Sequence, residues 1–494
     1  MCLSTAETPE NSIKKGPILV IMILGAFFTI FNQTTMTVAL PALMDEFEIQ
    51  ASTAQWLTTG YMLVNGVLIP ITGFLMKRFT TKQLFQTSMF VFLTGTIVSA
   101  IAGNFPTLLV GRLIQAASTG ITMPLLMNVV LSLFPPNKRG SAMGFVGLAI
   151  IFAPAIGPTL TGYVLESYPW QMLFYGMIPF IVVIILCGFI FLQNVSKTTK
   201  TKLDIISLIL STVGFGSLLY GFSEAGNKGW SDIEIILAIG IGMLTVGLFT
   251  WRQLVTEDPF LDLRAFKFNM FTLTTLINVT VTIVMYADMI LLPLYLQEAR
   301  GYTALESGLL MFPGALLMGL LSPVVGKLFD RFGAKWLSII GVAIILASTF
   351  KFTDLTDSTS FMFLILLYAG RRIGMALFLM PVQTAGLNQL PNSLHAHGTA
   401  ISNTARQVAG AIGTSLLVTI MTNSSKDYAT DNMASGLAAG LTKDHVAMEA
   451  AIHGINDAYF VIFIFGFISL VLSFFIKHVD QADEPGKTVE PGTP

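Results

Sequence analysis

Five charged side chains lie well inside long apolar runs of this sequence: Arg112, Asp288, Arg371, Arg372 and Arg406. Only one of them is an acid. Asp288 sits in "VTIVMYADMILLPLYLQ" (281–297), and apolar surroundings favour the neutral form of a carboxyl group. Such a group can take up and release a proton, or exchange the proton for a ligand. It can equally form a static ion pair with an arginine and fix a helix contact. The arginines cannot shuttle protons, because a guanidinium stays charged. Arg112 can hold carbonyls and a polar network in place, or respond to the charge on a nearby acid. Arg371 and Arg372, candidates for lining a substrate cavity, are neighbours, so on a helix they point about 100° apart and do not share one role. Glu166, Glu224 and Glu306 fall near the ends of apolar runs and form a second tier of proton-binding candidates.

Neutral polar groups accompany these charges. Asn32 and Gln33 give the first apolar run hydrogen-bonding side chains that either line a cavity or join helices as polar glue. Trp56, Tyr61, Tyr286 and Phe31 can wall an apolar pocket, although with 38 Phe and 24 Met most large side chains must serve ordinary packing. Two cysteines, Cys2 and Cys187, provide neither a disulfide framework nor a thiolate metal site. The five histidines form no metal-ligand cluster with the acids inside the apolar runs. No GxxxxGK[ST] run occurs, so a nucleotide-driven machine within this chain is not expected. Neither a metal nor another cofactor is expected, and nothing suggests nucleic-acid binding. Enzymatic chemistry has no constellation to support it.

The elements that must position these residues are spanning helices. Of 494 residues 53% are apolar and only 11% charged, and a soluble chain carries about twice that charged fraction. Fourteen runs approach the ~20 residues that cross a bilayer. They cover 17–39, 53–74, 83–102, 106–131, 141–164, 171–193, 205–223, 233–251, 270–296, 306–326, 336–352, 359–388, 399–421 and 456–476. An even count puts both chain ends on one side. Eighteen Lys and Arg then fall on that side and five on the other, a bias that places both termini in the cytoplasm. The first run lacks a cleavage pattern and reads as a retained helix. Residues 422–455 are expected to form the one sizeable external loop, with a possible surface helix over 437–453, and 477–494 a cytoplasmic tail.

Two stretches repeat. "GFLMKRFTTK" (73–82) follows the second run and "GKLFDRFGAK" (326–335) follows the tenth, aligning Gly73, Arg78, Phe79 and Lys82 with Gly326, Arg331, Phe332 and Lys335. A looser echo pairs "GRLIQAASTGITMP" (111–124) with "GRRIGMALFLMP" (370–381). After a tail at 1–16, the chain therefore divides into a six-helix bundle over 17–193, a linker over 194–269 carrying helices seven and eight, and a second six-helix bundle over 270–476. Two similar bundles can rock against each other about a site near mid-membrane, exposing it to one side at a time. Between them, "GLAIIFAPAIGPTLTG" (147–162) offers Gly157, Pro158 and Gly162 for close packing and a kink at such a pivot.

These motifs resemble the major facilitator superfamily, in particular its fourteen-helix drug:proton antiporters, over nearly the whole chain. The family's loop signature Gly-x-Leu-x-Asp-Arg-x-Gly-Arg-Lys is met at Gly326, Leu328, Asp330, Arg331, Gly333 and Lys335. The first copy keeps Gly73, Leu75, Arg78 and Lys82 but has Lys77 for the acid and Thr80 for the glycine. "LLVGRLIQAASTG" (108–120) is similar to the fourth-helix motif around Arg112, and "APAIGPTLTG" (153–162) to the fifth-helix antiporter signature. "QWLTTGYML" (55–63), "LLPLYLQ" (291–297) and "NTARQVAGAIG" (403–413) add further matches. "FNQTTMTVALP" (31–41) resembles the first-helix motif with Asn32 standing where an aspartate is usual. The resemblance implies an all-α polytopic membrane protein with two pseudo-symmetric bundles. It implies a monomeric exporter of small amphipathic drugs or toxic compounds, driven by protons across a bacterial plasma membrane among its lipids. Under it Arg112 assists proton coupling, with Asp288, Glu224 or Glu306 as the titrating acid. Export or import of one specific metabolite, and a non-transporting receptor or scaffold, are the competing readings.

Overall fold

The computed structural model describes residues 15–49, 51–54, 56–195, 204–256, 259–438 and 442–477. Among these the chain is helical, with no strand. Fourteen long helices follow in order: α1 (Lys15–Phe47), α2 (Trp56–Arg78), α3 (Thr81–Ala100), α4 (Phe105–Leu133), α5 (Pro136–Ser167), α6 (Ile178–Phe191), α7 (Ile205–Lys228), α8 (Ile233–Val255), α9 (Asn269–Leu294), α10 (Ala304–Phe332), α11 (Ala334–Phe352), α12 (Phe361–Gln389), α13 (His395–Ala438) and α14 (Lys443–Ser473). Twelve candidate spans among the described residues are long and apolar enough to cross a membrane. The other two long helices are α3 and α5, whose length suffices. Polar residues such as Gln83, Gln86, Ser88 and Thr96 lower the hydropathy of α3.

A helix in hydrocarbon satisfies its own backbone, so the chain needs special signals only at the ends. Asn104 caps α4 through Thr107 N–H, and Thr80 with Gln83 forms a reciprocal capping box at α3. Gly333, with φ of 75°, lets the chain turn from α10 straight into α11. Asp204 and Asp232 cap α7 and α8. Asp204 also receives both Nε (2.8 Å) and Nη2 (3.0 Å) of Arg252, which holds its carboxyl down to about 2. A depressed carboxylate stabilises the fold above the ordinary range near 3.8 and loses that contribution as pH falls toward 2. Thermal stability of Asp204→Asn should therefore fall below wild type at neutral pH, with the difference shrinking below pH ~4.

Two sets of six helices repeat one packing scheme. In the first, α3 packs on α4 and α6, α2 on α4, and α1 on α4, α5 and α6; in the second, α11 packs on α12 and α14, α10 on α12, and α9 on α12, α13 and α14. The two sets meet along two seams, α5 against α10 and α2 against α13. Exchanging each helix for its counterpart eight numbers away in the other set converts one seam into the other, as a duplicated pair of bundles requires. Helices α7 and α8 pack on each other, and α7 lies against both α2 and α13. There Gly66 admits Leu219, Trp56 stacks on Tyr220 at 6.1 Å, and Trp230 Nε1 donates to Thr419 at 2.8 Å. The seam of α2 and α13 is thus covered by an added helix.

The segment read as an external loop is built differently. Residues 422–438 continue α13 and 443–455 open α14, while 439–441 lie outside the described residues. The two extensions hold each other: Ser424 donates to Asp457, Tyr428 stacks on His453 at 4.7 Å, and Gly454 lets α14 pass close to Met421 and Ser425. Asn, Ser and Asp lower hydropathy without stopping a helix that has a partner to lean on.

Candidate functional site

The clearest polar construction in the first bundle surrounds Arg112. Its helix presents Arg112, Gln115 and Thr119 at helical spacing toward α1, α2 and α3, and all three are buried. Arg112 Nη1 donates to the backbone oxygen of Asn32 (3.2 Å) and to Gln115 Oε1 (3.1 Å). Asn32 Nδ2 donates to the same Gln115 oxygen at 3.0 Å, and Gln115 Nε2 donates to Thr96 Oγ1 at 3.0 Å. The guanidinium carbon lies 4.4 Å from the centre of the Tyr61 ring, a cation–π distance. Tyr61 in turn shares a hydrogen bond of 2.5 Å with Thr119 Oγ1. No described carboxylate enters this network. Arg112 Nε, Arg112 Nη2 and Asn32 Oδ1 are buried without a described hydrogen-bond partner. Asn32, Tyr61 and Arg112 are thus brought together as one cluster. Thr96 and Thr119 complete it and carried no sequence signal, since a mid-helix hydroxyl resembles any other.

The second bundle repeats the device in altered form. Arg371, on the helix equivalent to that of Arg112, is fully buried and donates from Nη2 to Val284 O of α9 at 3.2 Å. Arg112 donates to a carbonyl of α1, the equivalent helix. Aromatic faces again sit beside the charge, with Phe352 at 5.8 Å and Tyr459 at 5.7 Å. These partners place Arg371 inside the second bundle, where it joins α9, α11 and α14. Arg372 points elsewhere, over the Tyr368 ring at 4.6 Å. Arg406 Nη1 lies 3.5 Å from Gln383 Oε1. Nearby on α13, a Cβ at Gly410 would come within 2.8 Å of the Tyr286 ring, so α9 and α13 touch at Tyr286. Asp288 lies on α9, but its side chain is outside the described part of the structure, as is that of Pro158.

Several expected site residues have other duties. Glu306 is exposed and completes a capping box: Thr303 N–H and Oγ1 donate to its Oε2 at 2.8 and 2.9 Å, and its own N–H donates to Thr303 Oγ1 at 3.2 Å. Its carboxylate is committed to starting α10, so Glu306→Gln should leave gradient-driven transport unchanged, checked by flux in reconstituted vesicles. Trp56 is 40% exposed and stacks on Tyr220 of α7. A Cβ added at Gly162 would meet nothing within 4 Å, so this glycine is not a point of close packing, whereas Gly157 abuts Thr34 of α1. Glu224 and Gln33 are half-buried on α7 and α1.

The repeated loops lie where the seams close at one end of the bundle. Asp330 reaches across from α10 to the second turn of α5, accepting from Gly140 N–H (2.8 Å), Ser141 N–H (2.9 Å) and Ser141 Oγ (2.5 Å). A carboxylate there lies near the positive end of the helix. Gly140 and Gly326 make the approach possible, since a Cβ on Gly326 would collide with the Gly140 carbonyl oxygen. Gly144 continues the contact, with a Cβ only 2.6 Å from Ser322 O. This stripe of small residues begins before the 147–162 segment singled out in the sequence. The other copy sits at the other seam, where Gly73 faces Ala400 and His397 of α13. His397 Nδ1 accepts from Asp262 N–H at 3.1 Å, tying in the segment before α9. Arg78 and Arg331 are exposed in last turns, and Arg331 lies over its neighbour Phe332.

Comparison with known proteins decides the family. The sequence pattern of the Major Facilitator Superfamily matches residues 22–414. The chain is a major facilitator. Among relatives of this facilitator, lincomycin resistance protein LmrB of Bacillus subtilis is 42% identical over 97% of this chain and 99% of its own. Multidrug export protein EmrB of Escherichia coli is 29% identical over 83% of this chain and 81% of its own. In three dimensions the facilitator superposes on the proton:xylose symporter XylE with a TM-score of 0.62 at 14% identity, covering 94% and 96% of the two chains. That likeness concerns the fold. This facilitator is a multi-pass membrane transporter and not an enzyme.

Proposed function

We propose that this facilitator exports small amphipathic drugs or other toxic compounds from bacteria, exchanging them for protons by alternating access. The observation that carries the reading is its likeness, over nearly the full length of both chains, to a lincomycin resistance protein. The distribution of Lys and Arg supports a cytoplasmic position for the basic end, where Asp330 and Gly73 lie, and for both termini. Contacts at that end correspond to a cytoplasmic gate in its closed position. Breaking the bonds of Asp330 would let α5 and α10 part and admit cargo from the cytoplasm or inner leaflet.

Asp288 is our assignment for the coupling acid, with Glu224 as the second candidate. Asn32 cannot titrate, so an acid outside the Arg112 cluster has to carry the proton. Arg112 holds α1, α2 and α4 in register and supplies a fixed positive charge that favours an ionised or anionic group approaching it. A membrane potential contributes about 2.3 kcal/mol per charge for each 100 mV, enough to drive the return step. The two bundles supply both walls of the path, so a monomer suffices.

The test is accumulation in everted membrane vesicles of lincomycin and a panel of cationic, zwitterionic and neutral compounds. Wild type should accumulate a subset of them only under a proton gradient, and Asp288→Asn should not. Folded wild-type protein without any pH-dependent flux would sink the reading in favour of a receptor or scaffold.

A further inference from the structure

Beside the seam of α5 and α10 lies an open cavity of about 500 Å³, lined by Leu19, Phe134, Ala142 and Phe145 together with Asn137, Lys138, Ser141, Lys327 and Asp330. A third lysine borders it, since Lys15 Nζ stands 5.8 Å from the centre of the Phe134 ring. None of Lys15, Lys138 and Lys327 has an ion-pair partner among the described residues. The one acid in the wall, Asp330, already accepts from Gly140 and Ser141. Two ammonium groups without an ion-pair partner therefore line a cavity whose remaining surface is largely apolar, and a third stands beside its Phe134 wall.

The polar and apolar parts are arranged along the helix axis. Lys138 and Phe145 are two turns apart on α5, a separation of about 10 Å. Phe145 is half exposed, and so is Val20 beside Leu19, so that the apolar end opens sideways from the bundle. A soluble anion would use only the lysines. An anion carrying hydrocarbon would use both ends, with phosphate among the ammonium groups and the start of an acyl chain against Phe145 and Leu19. The seam at α2 and α13 offers no equivalent, because α7 covers it.

We propose that this cavity binds the headgroup of an anionic phospholipid, which bridges the two bundles and favours the closed basic end. Lys15 and Lys138 belong to the first bundle and Lys327 to the second. A phosphate held by both sides adds attraction across the seam that Asp330 latches, and separation of α5 from α10 would break it. The inference adds a lipid-dependent regulation to the transport reading above, but its binding test is independent of transport.

The experiment uses the full chain in nanodiscs of phosphatidylcholine with or without phosphatidylglycerol. Native mass spectrometry should show phosphatidylglycerol retained by wild type and by a Lys138→Arg/Lys327→Arg variant. Retention should fall at least about tenfold in Lys138→Gln/Lys327→Gln, which removes two of three positive charges. Spin labels on α5 and α10 should report a larger closed fraction with phosphatidylglycerol in wild type and no such response in the Gln variant. Equal retention by the Gln variant, equal retention of phosphatidylcholine, or displacement of the lipid by millimolar inorganic phosphate would each overturn the proposal. So would an unchanged closed fraction in wild type.

Discussion

Replacing Asp330 by alanine should open the basic end and abolish most transport. The carboxylate accepts from Gly140, from Ser141 N–H and from Ser141 Oγ, and the last two meet the same oxygen. Hydrogen bonds to a charged group contribute roughly 1.5–3 kcal/mol each, although three that share one group do not add in full. A loss of about 3 kcal/mol shifts a two-state equilibrium more than a hundredfold. A gate that was mostly closed becomes mostly open, and the cycle loses the state from which cargo is released. Cysteines placed on α5 and α10 should therefore label from the basic side far faster in Asp330→Ala than in wild type. Asp330→Asn keeps one acceptor oxygen and should fall between the two. Gly326→Val reaches the same end by a steric route, because its side chain meets the Gly140 carbonyl. Unchanged labelling in both variants would show that the latch does not control the gate.

Removing the Arg112 side chain is the second large effect. Arg112→Leu leaves Gln115 Oε1 with Asn32 Nδ2 as its remaining described donor and takes the cation from the face of Tyr61. Lysine restores the charge, but it cannot reach both the Asn32 carbonyl and Gln115 with a planar fork while stacking on a ring. Loss of a hydrogen-bonded buried charge costs on the order of 3 kcal/mol, so transport should drop by about a hundredfold in Arg112→Leu. Arg112→Lys should recover part of it. The folded fraction, read by gel filtration in detergent, should change less than the flux. Full transport by a well-folded Arg112→Leu would reduce the cluster to helix glue.

The features that were legible in the sequence share one property: each depends on residue type at a fixed spacing. Apolar length revealed the helices, and the duplicated Gly–Arg loops revealed the halves that now repeat one packing scheme. Asp330 stands out as the acid of the loop signature, since the sibling loop has Lys77 in its place. What stayed hidden depends on partners far away in the chain. Gly140 matters because Gly326 lies opposite, almost two hundred residues later, and nothing near Gly140 announces that. The stacking of Trp56 on Tyr220 is likewise set by α7, more than 160 residues later. Glu306 looks like a proton carrier until Thr303 is seen three residues back, a capping box that local inspection could have found. The helical extensions of α13 and α14 were missed because a pair of polar helices supporting each other has the composition of a loop.

The central claim is that cargo and protons move in opposite directions through one path controlled by Asp288. The most direct measurement encloses a pH-sensitive dye in proteoliposomes without an imposed gradient and adds a transported compound outside. Antiport predicts that entry of the compound drives protons out, so that the lumen turns alkaline. It also predicts that Asp288→Asn, reconstituted to the same level, moves no protons in response. Proton counterflow of wild-type size in Asp288→Asn, or cargo entry with no proton movement in wild type, would contradict it.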